Sequence, residues 1–241
     1  MGRLTRTKTL GSCPFILPPL VLTLVVLSPF VSAVAGQQNV LPPSSSIYGH
    51  SYQEWAAAWW QWALTQPLAT NPVVDVDGRN CAAGQSGPVW FLAGTFASGV
   101  KVERSCEVPA GTAVFFPVVN NFYCAIAAVD PPETRTEAYA RSQVSFVRDA
   151  ADGLVATIDG VAVPNIKSRY FEESSLFTVV LPADNLFGLD ADTLLDPCVD
   201  AGYYLMLHPL SVGEHTIAFS GSLGTFTIDV EYTITVAGGR R

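Results

Sequence analysis

The hydrophobic pattern changes period along the chain, and the period names the elements. Over residues 51–67, SYQEWAAAWWQWALTQP, Tyr52, Trp55, Trp59 and Trp62 recur at spacings of three and four and form one helical stripe, widened by Ala56, Trp60 and Ala63. Ser51 followed by Glu54 is a capping-box signature, and Pro67 closes the run because proline lacks a backbone donor and disfavours helix at the residue before it. Most of this helix's circumference is apolar, so it is expected to lie against a larger surface supplied by the rest of the chain. A second helical pattern runs over 130–152, with Ala140, Val144, Val147 and Ala151 as its seam and Arg135, Glu137, Arg141 and Arg148 outside it.

The remaining segments are strands. Residues 88–96, PVWFLAGTF, predict a buried strand, with 101–106 as its exposed partner across a turn at Ser98-Gly99. The apolar run 113–120, AVFFPVVN, contains Pro117, which cannot donate to a ladder and so requires an edge or a bulge there. From Leu154 the period becomes two, and Asp159-Gly160 between β-branched runs signals a tight hairpin. Residues 176–181 predict a buried strand stopped by Pro182, and 182–200 a long loop. Strands at 203–208, 214–220 and 225–236 complete the chain; the last places Phe226, Ile228, Val230, Tyr232, Ile234 and Val236 on one face and predicts a half-buried strand. This is a mainly β pattern. It predicts a two-sheet β-sandwich, jelly-roll-like, with an N-terminal Trp-rich helix and one further amphipathic helix, the strand layers wrapping the tryptophan-rich rod.

Residues 1–35 read as an export signal: Arg3, Arg6 and Lys8 precede an apolar core over 15–31, and Ala33-Val34-Ala35 supplies a small-x-small cleavage site. Residues 36–50 then form a flexible lead-in, and 51–241 a single β-sandwich domain with two helices. Cleavage leaves 206 of the 241 residues, enough for one domain with a sizeable core, and the loss of three basic residues takes the net charge from −8 to −11. An acidic chain sparse in Lys and Arg argues against nucleic acid and against an anionic membrane as partner. The expected location is secreted, periplasmic or cell-surface, with no membrane association after cleavage.

Cys13 leaves with the signal, and Cys81, Cys106, Cys124 and Cys198 form an even set in a chain bound for an oxidising compartment. Three pairings are possible. Cys81–Cys106 with Cys124–Cys198 is favoured because 81–106 reads as a strand pair folding back on itself. A zinc site made of the four thiolates is disfavoured because no C-x-x-C pair is present.

Among chemistry-bearing residues, Asp75 and Asp77 in the D-x-D-G turn place two carboxylates on one side of a loop, the oxygen chemistry calcium prefers, although two ligands are too few and an EF-hand continuation is absent. No other cofactor is implied. Ser211, Glu214, His208 and His215 bring hydrolase residue types together, but triads are recognised by geometry, and GQSGPVW is not a nucleophile elbow. His215 is expected to face solvent. Glu172, Glu173, Asp190, Asp192 and Asp196 offer carboxylates to a glycosidase-like reading, against solvated acidic loops as the plainer one. The tryptophans are either a sugar-stacking platform or core, and their all-round apolar setting favours core.

The segments Trp59-Trp60-Gln61-Trp62-Ala63, Asn71-Pro72, Gly84-Gln85-Ser86-Gly87-Pro88-Val89-Trp90-Phe91-Leu92-Ala93-Gly94, Val108-Pro109-Ala110-Gly111 and Phe115-Phe116-Pro117, with Cys81, resemble a family of exported bacterial proteins of unassigned role. The likeness continues at Pro209-Leu210-Ser211, Gly213 and His215-Thr216-Ile217. It implies an exported single domain and offers no catalytic residues to transfer. With no nucleophile or metal signature, the sequence points to a non-catalytic binding or surface module, its partner a glycan or a surface protein. The alternative is a hydrolytic, carbohydrate-active enzyme working through the acids between 172 and 200.

Overall fold

A strand apolar at every position must be covered on both faces, and the runs at 113–119 and 203–207 pair with each other. The computed structural model describes residues 1–2 and 40–238, so the export signal expected over 1–35 lies, but for Met1 and Gly2, outside the described residues. In chain order the strands are β1 (Val40–Leu41), β2 (Val89–Phe91), β3 (Lys101–Pro109), β4 (Ala113–Ile126), β5 (Ala151–Ile158) and β6 (Val161–Ala162). There follow β7 (Phe171–Glu173), β8 (Phe177–Val180), β9 (Leu194–Leu207), β10 (Gly213–Leu223) and β11 (Phe226–Ala237). The helices used below are α1 (Tyr52–Thr65), α2 (Glu137–Val144) and α3 (Val147–Ala150).

The expected two-sheet sandwich is present. The first sheet has the order β1-β9-β4-β2, with β7 and β8 also pairing to β9; the second is β3-β11-β10-β5-β6. Along β4 and β9 alternate residues serve two cores. Phe116, Tyr203, Leu205 and Leu207 pack with Ile217, Phe219, Val230 and Tyr232 of the second sheet, while Phe115, Tyr204 and Met206 pack with Tyr52, Trp59 and Trp62 of α1. The Trp-rich helix therefore lies on the outer face of the first sheet, not as a rod between the layers. The second sheet has one covered face, and β3 and β11 show the matching alternation of buried and exposed residues.

Every helix tryptophan fastens a different segment. The indole N–H groups donate to the Ile47 carbonyl (Trp55, 3.0 Å), the Leu92 carbonyl (Trp59, 2.9 Å), Asp200 Oδ2 (Trp60, 2.7 Å) and the Ala83 carbonyl (Trp62, 2.8 Å). The capping box forms as expected, Ser51 Oγ accepting from the Glu54 amide and Glu54 Oε2 from the Ser51 amide at 2.7 Å. At the other end Asn71 Nδ2 donates to the Ala63 carbonyl at 2.8 Å.

Four local expectations change. Segments 88–96 and 101–106 are not a hairpin: β2 runs parallel to β4 in the first sheet and β3 parallel to β11 in the second. The burial patterns require it, since all three residues of β2 are buried, whereas β3 alternates. The loop expected over 182–200 is shorter, because β9 begins at Leu194 and pairs with both β8 and β4. The second helix breaks at Ser145-Phe146 into α2 and α3, and its seam residue Ala151 opens β5. Within the lead-in, Val40 and Leu41 pair with β9 and Ile47 is buried, so this part is held against the domain.

Other expectations hold. The Pro117 constraint is met by a register shift between Pro117 and Val119. Asp159 and Gly160, both at positive φ, make the two-residue turn joining β5 to β6. Both disulfides form as paired from the sequence, Cys81–Cys106 and Cys124–Cys198. The reason for the first differs: it ties the loop after α1 to β3 rather than closing a hairpin. The second joins directly opposed residues of β4 and β9. No helix among the described residues is long and apolar enough to cross a membrane.

Candidate functional site: an uncharged aromatic cleft

Because β2 stops at Phe91, β4 has no strand neighbour among the described residues on that side beyond Phe115. A cleft of about 350 Å³ opens along this free edge. Trp59 and Trp60 form its floor, nearly closed off by their own packing. One wall is the loop Gly94-Thr95-Phe96; the other is Phe146 with Leu223 and Phe226 at the β10–β11 turn. Asn120, Asn121 and Phe122 close the end. Phe96 and Phe146 are 46% and 47% exposed, so their ring faces are free to stack.

The walls are fixed by separate devices. Arg104 on β3 is only 2% exposed; its Nη1 donates to the Ala93 and Gly94 carbonyls at 2.8 and 2.9 Å and to Tyr232 Oη at 2.8 Å, and its Nε to the Asp75 carbonyl at 2.8 Å. That guanidinium holds the loop just before Thr95. The opposite wall depends on the break between α2 and α3, since Phe146 sits at the junction. Gln85 accounts for part of the GQSGPVW segment. Its amide accepts from the Phe91 N–H at 3.0 Å and donates to the Phe91 carbonyl at 2.8 Å, taking the place of a strand beside β2.

Beneath the Asn120 end lies Asp200, fully buried on β9. Trp60 donates to its Oδ2 at 2.7 Å and Tyr204 Oη to its Oδ1 at 2.8 Å, while Asn120 Nδ2 donates to Tyr204 Oη at 2.8 Å. Removal from water drives the Asp200 pKa well above the ordinary carboxylate range; the Trp60 and Tyr204 hydrogen bonds oppose that shift without cancelling it. Gly202, opposite Asn120, has no room for a side chain: a Cβ there would lie 2.5 Å from Asn120 Cβ.

Comparison with protein-family models, with curated proteins and with solved structures finds no match to this chain.

The residues singled out from the sequence lie away from the cleft. Asp75 accepts from the Asp77 and Asn80 amides at 3.2 and 2.7 Å, and the Asp77 carboxylate is paired with the Arg79 guanidinium, which holds its pKa well below the usual range. Glu172 takes Gln53 Nε2 at 3.2 Å, and Glu173 lies 3.7 Å from Arg141, so the two neighbours serve different partners. Asp190 and Asp192 belong to the loop between β8 and β9, and Asp196 is exposed on β9. Among the described residues no group of three or more His, Cys, Asp or Glu is placed to hold a metal.

His215 does acquire a triad-like setting, with an acid the sequence did not single out. Its Nδ1 is 2.8 Å from Asp159 Oδ2, and its Nε2 is 3.2 Å from Ser211 Oγ and 2.9 Å from the Ser211 carbonyl oxygen. When the ring is protonated both nitrogens donate, Nε2 to the Ser211 carbonyl and Nδ1 to the Asp159 carboxylate. Partial burial works to lower the His215 pKa, but the Asp159 carboxylate and the Ser211 carbonyl together raise it. In that charged form the ring has no lone pair to take the Ser211 proton. The arrangement clips the β5–β6 turn to the start of β10.

Trp59 and Trp60 were singled out but read as core, and Phe96, Asn120, Asn121 and Phe146 were missed because they belong to no motif. The available signal was Asn120-Asn121, two amides interrupting an otherwise apolar strand run.

A larger hollow of about 580 Å³ over the start of α1 is a weaker candidate. The polar side chains that α1 and β7 contribute to it are already engaged, Ser51 with Glu54 and Gln53 with Glu172.

Proposed function

We propose that the protein is an exported, non-catalytic binding module whose aromatic cleft takes an uncharged, hydroxyl-bearing ring, the chemistry of a neutral glycan. One observation carries the reading. In a chain of net charge −8, none of the described residues lining the cleft is ionisable; they are aromatic, aliphatic, threonine or amide. Aromatic faces stack on the C–H face of a pyranose, and amides exchange hydrogen bonds with hydroxyls without the desolvation cost of a charge. Two disulfides support a location outside the reducing cytosol.

The test is a glycan array carrying neutral and anionic oligosaccharides, followed by calorimetry on Phe96→Ala and Phe146→Ala. Binding should favour neutral chains and weaken roughly tenfold or more in each variant, the loss of about 1.4 kcal/mol or more per stacked ring. A broad hydrolase screen accompanies it. Turnover that persists through purification and disappears in Ser211→Ala, or in a variant of Glu172 or Asp190, establishes the enzyme reading instead.

A further inference from the structure

Among the described residues Asp200 is the one fully buried carboxylate whose partners are all side chains, and the chain of contacts it begins ends in the cleft. Trp60 Nε1 can only donate, so Oδ2 is an acceptor in either protonation state. Oδ1 faces Tyr204 Oη, a hydroxyl with one proton. When Asp200 is ionised, Tyr204 must give that proton to Oδ1, and its oxygen accepts from Asn120 Nδ2. The Asn120 carbonyl oxygen, which has no partner among the described residues, is then left for the cleft. When Asp200 is protonated on Oδ1, the proton points at Tyr204 Oη, the Tyr204 hydroxyl must donate to Asn120, and the amide has to turn over to accept it. The cleft then meets the NH₂ group. One proton on a buried acid thus reverses the polarity of three side chains in series.

We propose that Asn120 selects the polar group a cleft ligand presents, and that Asp200 is a positioning residue which, through Tyr204, sets which end of the Asn120 amide meets that ligand. The proposal rests on the binding reading above for the ligand's place. With Asp200 ionised the cleft favours a ligand that donates at this point, such as a sugar hydroxyl; with Asp200 protonated it favours one that accepts, such as the carbonyl of an N-acetylated sugar. Packing is compatible with the amide's turning, because Asn120 is half-exposed.

The groups around Asp200 limit what else can drive the change. From α1 come Trp60 and, a turn and more away, Glu54, which is held by Ser51; from β4 come Asn120 and Phe122. From β7 and the residue after it come Glu172 on Gln53, Glu173 near Arg141, and Ser174, whose Oγ accepts from the Asp200 amide. From α2, Arg141 reaches the Ser174 carbonyl at 3.3 Å. Burial raises the Tyr204 pKa well above that of a free phenol, so this hydroxyl keeps its proton while Asp200 titrates.

The experiment follows the Asn120 side-chain amide by NMR in labelled protein, with Asn120→Ala for assignment, together with the Asp200 carboxyl carbon, across the pH range in which the fold is stable. The two signals should move on one titration curve, and the Asn120 movement should vanish in Tyr204→Phe, where the ring and its stack on Phe115 remain. Asn120 signals that stay fixed while Asp200 titrates, or that still move in Tyr204→Phe, overturn the proposal, as does a carboxyl carbon that never titrates. With cellohexaose and N-acetylchitohexaose as probes, their preference ratio should change at least tenfold across the titration and become constant in Tyr204→Phe; a ratio independent of pH in the native protein also overturns it. If neither probe binds while the amide and carboxyl signals move together, the glycan reading fails and the relay stands.

Discussion

The two disulfides close loops of 25 and 74 residues that do not overlap in sequence, and this ranks their contributions. In the chain-entropy description, cross-linking removes about 2.1 + 1.5R ln n cal/mol/K from the unfolded chain, or about 3.5 kcal/mol for the shorter loop and about 4.4 kcal/mol for the longer one at 25 °C. Native packing does not separate them, since each pair joins one buried cysteine, Cys106 or Cys198, to one half-exposed, Cys81 or Cys124, so loop closure alone ranks the two. The double replacement Cys124→Ala/Cys198→Ala should therefore cost about 1 kcal/mol more than Cys81→Ala/Cys106→Ala. Removing all four cysteines approaches the whole stability of an ordinary domain, about 5–15 kcal/mol. Urea unfolding followed by tryptophan fluorescence measures this, because the indoles of Trp59, Trp60 and Trp62 are buried and become wet on unfolding. An equal or greater loss on opening Cys81–Cys106 refutes the loop-closure reasoning, and free thiols found by mass spectrometry in the native protein refute its premise.

Gly202→Ala should push Asn120 out of place, costing about 1–3 kcal/mol and weakening binding in the cleft, with calorimetry and urea melts as the checks. Arg104→Met strips the Asp75 and Gly94 carbonyls of their guanidinium donor, while the Ala93 carbonyl keeps the Tyr232 hydroxyl at 3.0 Å; a loss of about 2 kcal/mol or more is expected, with the Thr95-Phe96 wall loosened in hydrogen exchange. The pKa of folded His215 lies above the unfolded value, so its clip stabilises fully below about pH 6.5 and fades as pH rises through the folded value. His215→Gln should thus lose stability relative to the native chain at pH 5 but little at pH 9, and a pH-independent difference argues against the imidazolium. Asp200 has the same sign of linkage: its raised pKa makes the fold most stable below the unfolded carboxyl value, with stability falling as pH rises through the folded one. Asp200→Asn should flatten that part of the stability profile.

Periodicity located most of the architecture because sheets and helices bury faces at fixed spacings. The alternation in β11, the capping box before α1 and the Asp159-Gly160 turn are local signals, and each survives in the fold. Strand pairing across the sandwich is not local. Neither the parallel pairing of β2 with β4 nor that of β3 with β11 leaves a mark in the intervening sequence. The runs 113–120 and 203–208 did carry one unused clue. Continuous apolarity requires cover on both faces, which places the Trp helix outside the first sheet. The site was less legible for the same reason: Phe96, Asn120, Phe146 and Phe226 come from four separate segments and meet only because β2 ends early and the second helix breaks.

The buried polar groups themselves distinguish scaffold from site. Asn71 hydrogen-bonds the backbone at Ala63, Gln66 and Val73, Asn185 that of the 182–189 loop, and Asp75 the amides of Asp77 and Asn80. Arg104 spends four of its five bonds on carbonyls. Each holds a turn that has no ladder of its own, a need the fold creates. The Asp200 carboxylate holds no backbone at all. A well-packed apolar side chain at 200, with phenylalanine at 204, would serve stability as well or better, since a buried carboxylate without a cation carries a desolvation cost its two donors only partly offset. What the acid supplies instead is a fixed orientation for an amide at the cleft's end. That is a requirement of recognition rather than of folding, and it makes Asp200, Tyr204 and Asn120 one unit with the cleft above them.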